Sequence, residues 1–302
     1  MYEWIGKISG DSAALNRIAK WCGMLPRPMM FGLCRAAAAL LYLMAGKTVK
    51  SRICANMQDV MPDKNKRQLK AYCKNYISNV VMSLYEIMID SSSLDTHPQN
   101  VFSVHGERHL EAALKLGRGV IVYTPHVGNF FYYYWYLAQK YRCLTVATGS
   151  SPELRPLYLK FQEMGCEGLD YDSTPPIELL RKLRKHLAGN GIVFILGDFY
   201  RPAFPRSTFF GRMTRMPEGA AMLSIEYGAP VVPFSGRRLN GEHHKLVFEQ
   251  PLRLYELYDR SQRERASRHL SLFMEKVICR HPEQWFYWFN MDERWESSSE
   301  TG

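Results

Sequence analysis

The sequence predicts an α/β domain whose central, mostly parallel sheet is flanked by helices and preceded by an N-terminal helical segment. Two observations predict this fold. Residues 1 to about 95 read as helices, and after a turn-rich break at 91–100 short apolar strands alternate with helices. Alternation with short connections is typical of parallel sheets. We therefore divide the chain into a helical segment (1–95), an α/β domain (96–296) and a loose polar tail (297–302).

An apolar stretch in the helical segment indicates contact with a membrane. Residues 29–46 read MMFGLCRAAAALLYLMAG, which is short for a spanning helix and is interrupted by Arg35. A buried or interfacial helix fits better than a span. Lys47, Lys50 and Arg52 follow and suit acidic headgroups. After them, apolar residues recur at helical spacing over 66–88. The pattern predicts a helical, membrane-associating segment that lies on the surface of the bilayer.

Strands and helices alternate through the rest of the chain. We predict strands at 101–104, 119–124, 144–148, 191–196, 229–234 and 245–248, and helices at 107–116, 129–140, 152–164, 176–187, 218–227 and 260–279. His126 and Asp198 each fall just past the end of an apolar strand. In open parallel sheets, sites form where the strands end.

Charge and cysteine usage narrow the class of protein. The net charge of +10 suits nucleic acid, anionic lipid or a phosphorylated substrate, but no nucleic-acid motif accompanies it, so we expect no nucleic-acid partner. Seven cysteines without CxxC spacing argue against a disulfide framework and a zinc site. No signal peptide is recognised at the start. We expect a reducing compartment, no metal and no redox cofactor.

His126 is the first candidate for chemistry. A histidine at a strand end can accept a proton from an attacking hydroxyl, although an isolated histidine more often caps a loop. Its context is the run VHGERHLEAALKLGRGVIVYTPHVGNF at 104–130. That run resembles the lysophospholipid acyltransferase superfamily, in particular the branch of the lipid A lauroyl and myristoyl transferases and the mycobacterial mannoside acyltransferases. The matching positions are Gly106, Glu107, Gly117, Gly119, Val120, His126, Gly128 and Asn129.

Other blocks extend the resemblance over roughly residues 50 to 295. They are the RxxxN element from Arg52 to Asn56, IVFILGDF ending at Asp198, the FFG turn at 209–211, the helix-strand block at 217–238 and HPEQWFYW at 281–288. The resemblance implies an enzyme that moves an acyl group from an acyl carrier protein or coenzyme A thioester to a hydroxyl or amine. The implied acceptor is a lipid or glycolipid at the cytoplasmic face of the inner membrane. The histidine is the general base, and no cofactor beyond the acyl donor is implied.

One position departs from the family pattern. The family carries a carboxylate five residues after the histidine, and here that position is Phe131. A phenylalanine cannot orient an imidazole. Asp198 is our first choice for a substitute acid and Glu218 our second. Alternatively, the protein is a catalytically altered or silent relative that binds lipid, acyl groups or a partner, or it acts on a diffusible metabolite.

Arginines near the expected site predict recognition of a phosphate or carboxylate. Four lie between Asp198 and Glu218, and Arg237 and Arg238 follow a later strand. The aromatic run at 130–136 has two interpretations. Either some of its rings line the site or an acyl groove while others lie at a membrane interface, or the whole run belongs to a buried helix. We predict that His126, Asp198 and Glu218 are catalytic. The predicted substrate-binding residues are Asn129, Phe131, Arg201, Arg212, Arg215 and Arg237.

Overall fold

Within the described residues the N-terminal segment is helical, and residues 1–24 of the predicted helical segment lie outside them. The computed structural model describes residues 25–96, 101–149 and 154–296. Its first helices are α1 Arg27–Met44, α2 Lys47–Val60 and α3 Lys66–Met88, followed by a 3₁₀ helix at Asp90–Thr96. Asn65 caps α3 with a capping box: its side chain accepts the Gln68 backbone N–H, and the Gln68 side chain accepts the Asn65 backbone N–H. The predicted tail at 297–302 lies outside the described residues.

The α/β part consists of one large sheet, a small hairpin and flanking helices. The strands of the large sheet are β1 Phe102–His105, β2 Val120–Thr124, β3 Cys143–Ala147, β4 Gly168–Asp170, β5 Ile192–Leu196, β8 Val231–Arg238 and β9 His244–Phe248. The hairpin is β6 Arg206–Phe209 with β7 Arg212–Arg215. The α-helices are α4 Glu107–Leu114, α5 Phe130–Ala138, α6 Arg155–Glu163, α7 Pro176–Ala188, α8 Gly219–Tyr227, α9 Leu254–Leu257 and α10 Arg263–Arg280.

The seven strands lie in the order β1-β9-β8-β2-β5-β3-β4. All neighbours in this sheet are parallel except β8 and β9, which are antiparallel. The predicted mostly parallel sheet is therefore confirmed. Three further 3₁₀ helices close the described chain, at Pro282–Gln284, Phe286–Phe289 and Met291–Arg294.

Some elements differ from the sequence prediction. β4 has three residues and the β6–β7 strands have four each, which is too short for a clear periodic signal. The helix predicted from residue 260 begins as a 3₁₀ turn at Arg260–Gln262, and α10 starts at Arg263. Asp259 explains the turn, since its side chain accepts the backbone N–H groups of Ser261 and Gln262.

The core lies on both faces of the sheet and includes the helical segment. β2 is buried along its whole length. Its consecutive residues Val122 and Tyr123 point to opposite faces of the sheet and belong to different apolar clusters. The Tyr123 cluster also contains Met57 of α2 and Cys73 of α3. The N-terminal helices and the α/β part therefore share one core.

The membrane criterion of length and apolar composition gives a divided result. No single helix within the described ranges meets it. Taken together, α1 and α2 do meet it, but the pair is bent by 102° between them.

Candidate active site

His126 and Asp198 meet because their strands are neighbours. β2 and β5 run parallel, and Thr124 at the end of β2 is in register with Leu196 at the end of β5. Each strand is followed two residues later by one of the two side chains. The His126 Nδ1 atom lies 2.6 Å from Asp198 Oδ1, although the residues are 72 positions apart in sequence. The Asp198 carboxylate also accepts the backbone N–H of His126, at 3.0 and 3.1 Å.

Asp198 is held as an ionised carboxylate. It is fully buried. Burial acts to raise its pKa, but His126 and the Trp285 indole N–H, which donates to Oδ2 at 2.6 Å, outweigh that effect, so the pKa of Asp198 lies below its usual value. A carboxylate can only accept hydrogen bonds, so Nδ1 of His126 carries the proton and Nε2 presents its lone pair. This is the tautomer that a general base needs.

The loop between β2 and α5 that carries His126 (residues 125–129, the histidine loop) is hydrogen-bonded to the C-terminal segment of 3₁₀ helices. Val127 pairs with Trp285 in an isolated antiparallel bridge. The backbone N–H of Phe286 donates to His126 O at 2.9 Å, and that of Gly128 donates to Gln284 O at 2.9 Å. These bonds tie the loop to the C-terminal segment. The sequence pointed to this segment only as a block that resembles the family.

A tyrosine faces the other nitrogen of the imidazole. The Tyr287 hydroxyl oxygen lies 3.4 Å from His126 Nε2, and the two rings meet edge to face at 4.9 Å between centroids. The Phe130 ring packs on the imidazole with 4.8 Å between ring centroids. Sequence reasoning missed Tyr287, because no local pattern distinguishes it from the aromatic residues on either side.

An apolar cavity of about 540 Å³ opens beside the imidazole. Its walls come from the carboxyl ends of β3 and β5, from α5 to α8 and from the Phe286–Phe289 turn, and His126 is part of its lining. Phe131 lines the cavity as well and packs edge to face on Phe161 at 5.5 Å between centroids. The position at which the family carries a carboxylate is thus an apolar wall in this chain.

Glu218 lines the same cavity but does not orient the histidine. It precedes the first residue of α8. Burial raises the pKa of Glu218, and Arg263 opposes this only partly. Among the described residues, no hydrogen bond joins Glu218 to His126, whose Nδ1 is already bound by Asp198. Its predicted role as a substitute orienting acid is therefore not supported, while its place in the cavity wall leaves it able to meet a substrate.

Asn129 does not contact the cavity, contrary to the predicted substrate-binding role. Its side chain is fully buried. Its oxygen accepts the Tyr132 backbone N–H at 3.2 Å, which caps α5, and its amide donates to Glu86 Oε2 at 2.8 Å. Both ends of the amide are therefore used inside the protein.

Glu86 is the centre of a buried polar network behind the histidine loop. Its carboxylate accepts hydrogen bonds from Arg238, including one at 2.6 Å, and contacts His244 Nε2 at 2.9 Å. Burial raises the pKa of Glu86, but Arg238 and His244 lower it to about 2. The network joins α3, β8, β9 and the start of α5, so it fixes the end of the histidine loop from the helical segment.

The four arginines between Asp198 and Glu218 all have acidic partners. The pairs are Arg201–Asp172, Arg206–Glu296, Arg212–Asp59 and Arg215–Glu296, with N···O distances of 2.6–3.2 Å. Among the described residues, the cavity lining contains no arginine, and Arg237 on β8 is also outside it. The predicted arginines therefore do not line the cavity. Arg201 comes nearest, since its guanidinium stacks 4.9 Å from the centroid of Tyr171, a lining residue.

Comparisons with known proteins find one family model that covers most of the chain and several partial relatives. A family model described as bacterial lipid A biosynthesis acyltransferase matches residues 13–296. A phosphatidylinositol mannoside acyltransferase of Mycobacterium tuberculosis is 35% identical over 147 residues, which is 44% of this chain and 45% of that protein. A protein of the same name from Mycolicibacterium smegmatis is 37% identical over 134 residues, 41% of this chain and 42% of its own. The matched segments thus span less than half of these relatives.

One solved structure is a distant match. It is the 1-acyl-sn-glycerophosphate (LPA) acyltransferase PlsC from Thermotoga maritima, 12% identical, with a TM-score of 0.37. The match covers 83% of this chain and 97% of that chain. A likeness at this level carries no argument about the site.

Proposed function

Because the chain belongs to the bacterial lipid A biosynthesis acyltransferase family, we propose that it transfers a fatty acyl group from a thioester to a hydroxyl or amine of a lipid. The observation that carries this proposal is the His126–Asp198 pair at the wall of an apolar cavity. A base, a carboxylate that orients it and an apolar space beside it are what acyl transfer from a long-chain thioester needs.

In the proposed reaction, Nε2 of His126 takes the proton of the acceptor group as its oxygen or nitrogen attacks the thioester carbonyl carbon. Asp198 keeps the imidazole oriented and stabilises the imidazolium that forms. The carbon–sulfur bond then breaks, and the imidazolium returns its proton to the leaving thiolate. The new ester or amide forms directly, without an acyl-enzyme.

The apolar cavity is the proposed site of the acyl chain. Its volume of about 540 Å³ falls among those of ligand-binding pockets. Each buried methylene stabilises binding by roughly 0.8 kcal/mol, so a long chain supplies much of the affinity. The aromatic wall, with Phe130, Phe131 and Phe161, offers no charge that would oppose entry.

The proposed donor is an acyl carrier protein or coenzyme A thioester, and both carry phosphate that a chain of net charge +10 attracts. The proposed acceptor is a lipid or glycolipid. The names of the mycobacterial relatives, which refer to phosphatidylinositol mannoside, support a glycolipid.

We propose that the enzyme lies peripherally on a membrane, at the cytoplasmic face of the inner membrane that the family resemblance implies. The support is a stripe of exposed apolar side chains along α1, each 47–74% exposed. Its members are Met29, Leu33, Leu40, Leu43 and Met44. An uncompensated apolar stripe of this kind suits an interface with lipid.

The alternative of a catalytically silent lipid-binding relative arose from the phenylalanine at position 131. The contact between Asp198 and Nδ1 removes that reason, because it supplies an orienting carboxylate from another strand.

The test is acyl transfer by the intact chain and by His126→Ala. Labelled long-chain acyl-coenzyme A and acyl carrier protein are offered separately, with bacterial lipid extract as acceptor. We expect turnover by the wild type and a loss of roughly 10²–10⁴-fold in His126→Ala, as for removal of a general base. His269→Ala, which removes a partly buried histidine outside the cavity, is the matched control. Absence of wild-type turnover with either donor, or full turnover by His126→Ala, contradicts the proposal.

A further inference from the structure

Tyr287 is placed at the reacting side of the imidazole. Its hydroxyl oxygen lies 3.4 Å from Nε2, the nitrogen that Asp198 does not bind, and both His126 and Tyr287 line the cavity. We infer that Tyr287 is a catalytic residue, which donates a hydrogen bond to the thioester carbonyl oxygen as negative charge develops there. The inference rests on the proposed acyl transfer.

The contact between the Tyr287 hydroxyl and Nε2 has a defined direction and is long. Since Nδ1 donates to Asp198, Nε2 is an acceptor, and the Tyr287 hydroxyl donates to it. A separation of 3.4 Å is long for such a bond, so this contact is a weak one. An acceptor hydroxyl that binds Nε2 displaces this contact. The attacked carbonyl must then lie about 3–3.5 Å from the acceptor oxygen, which places its own oxygen within reach of the phenol.

Three other hydroxyl groups of the cavity wall donate to backbone carbonyl oxygens. Tyr134 donates to Glu167 O at 2.6 Å, Tyr158 to Gly168 O at 3.1 Å and Thr145 to Phe194 O at 2.7 Å. Within the described lining, the Tyr287 hydroxyl is the one at hydrogen-bonding distance from His126. It is therefore the side-chain donor that the fold directs at the reacting atoms.

The ring of Tyr287 is held in place before substrate binds. It is 7% exposed and packs on Trp285 at 5.9 Å between centroids. The Arg294 guanidinium lies 5.8 Å from the same ring and donates to Asp198 O at 2.6 Å. A donor fixed in advance stabilises an oxyanion without a reorganisation cost, which is the requirement for this type of catalysis.

The proposed step balances without a new reactant. The acceptor O–H or N–H bond breaks and its proton goes to Nε2, while the new bond to the carbonyl carbon forms and the carbonyl π electrons move to oxygen. Tyr287 shares its proton with that oxygen but keeps it. When the carbonyl re-forms, the carbon–sulfur bond breaks and the proton on Nε2 goes to the thiolate.

The decisive variant is Tyr287→Phe, which removes one oxygen and keeps the ring. We expect kcat to fall by roughly 10²-fold, the typical effect of losing one oxyanion donor. KM for the acyl donor should stay within roughly threefold, because the interaction is formed only in the transition state. Tyr258→Phe is the matched control, since its hydroxyl also contacts an imidazole, His269 Nδ1 at 3.1 Å, outside the cavity. It should keep the wild-type kcat.

A second experiment replaces Tyr287 with 3-fluorotyrosine and 3,5-difluorotyrosine, which keep the shape but make the phenol more acidic. A kcat that rises with phenol acidity, at a pH where the phenol stays protonated, supports the inference even if the phenylalanine variant folds poorly. A kcat insensitive to fluorination overturns it, as does an unchanged kcat in Tyr287→Phe when the wild type is active and His126→Ala is not. Absence of wild-type turnover instead defeats the proposed function itself.

Discussion

The buried carboxylate of Asp198 serves three donors at once. It accepts the His126 ring and backbone N–H groups and the Trp285 indole N–H. These donors explain why the carboxylate remains charged although it is fully buried, since an unpaired buried charge would be costly. Phe131 is then free to serve as part of the apolar cavity wall.

The residue-scale prediction concerns Asp198→Asn, which preserves size but removes the charge. The asparagine amide has only one acceptor oxygen, so its NH₂ group must face one of the donors that the Asp198 carboxylate accepts from. The His126 ring then loses the group that fixes its tautomer and the negative charge that stabilises the imidazolium. We expect kcat for acyl transfer to fall by roughly 10³–10⁴-fold, as for loss of the orienting acid in a triad. Asp59→Asn is the control, because it breaks an exposed ion pair with Arg212 at 3.0 Å. A loss of less than tenfold in Asp198→Asn would sink this role.

At the scale of elements, α1 has one apolar side packed on α3 and another that is exposed. One side is buried against α3, where Phe31 meets Tyr85 edge to face at 5.4 Å between ring centroids. The other side carries Leu33 and Leu40, which are 51% and 57% exposed. Their spacing of seven residues, two turns of helix, places both on one stripe. The stripe is what we propose to enter the lipid interface.

The element-scale prediction is that Leu33→Gln/Leu40→Gln weakens binding to vesicles of phosphatidylethanolamine and phosphatidylglycerol. Burial of one leucine stabilises by about 1.5–3 kcal/mol, so we expect partition to fall by at least tenfold. Leu257→Gln is the control, since Leu257 is 58% exposed on α9. Vesicle flotation measures partition, and thermal unfolding checks that the fold is kept. Equal flotation of the double variant and the wild type would exclude this surface as the membrane contact.

For the whole molecule, folding favours the neutral form of several histidines, because it lowers their pKa values. Burial lowers the pKa of His244, an effect that Glu86 only partly offsets, and burial also lowers that of His186. Burial, with Arg237 and Arg280 nearby, lowers the pKa of His281 to about 4. An unfolded histidine titrates near 6.5, so below that pH the unfolded chain binds more protons than the folded one.

The prediction at this scale is that the free energy of unfolding falls as the pH is lowered from about 6.5 toward 4. Urea unfolding at pH 7.5, 6.0 and 5.0 measures it. Below about pH 4 the carboxylates Asp198 and Glu86, whose pKa values are lowered, add a further loss. His281→Gln should reduce the slope between pH 6.5 and 5, because one titrating group is removed. The same unfolding free energy at pH 7.5 and 5.0 would refute the prediction that folding lowers the pKa values of these histidines.

The local pattern of the sequence determined the mostly parallel sheet and the position of His126, because alternation of strands and helices and the end of an apolar strand are both short-range features. It also made Asp198 the first candidate for an orienting acid. Only the tertiary structure decided that this acid reaches Nδ1, because the contact depends on the pairing of β2 with β5.

The same reason explains the residues that sequence reasoning misplaced. Asn129 follows the histidine closely, yet its amide turns inward to Glu86, 43 positions away. Arg212 lies between the candidate acids, yet it pairs with Asp59, 153 positions away. Tyr287 reaches Nε2 from 161 positions away. The partner of a polar side chain depends on which distant segment the fold brings beside it, and spacing along one chain does not contain that information.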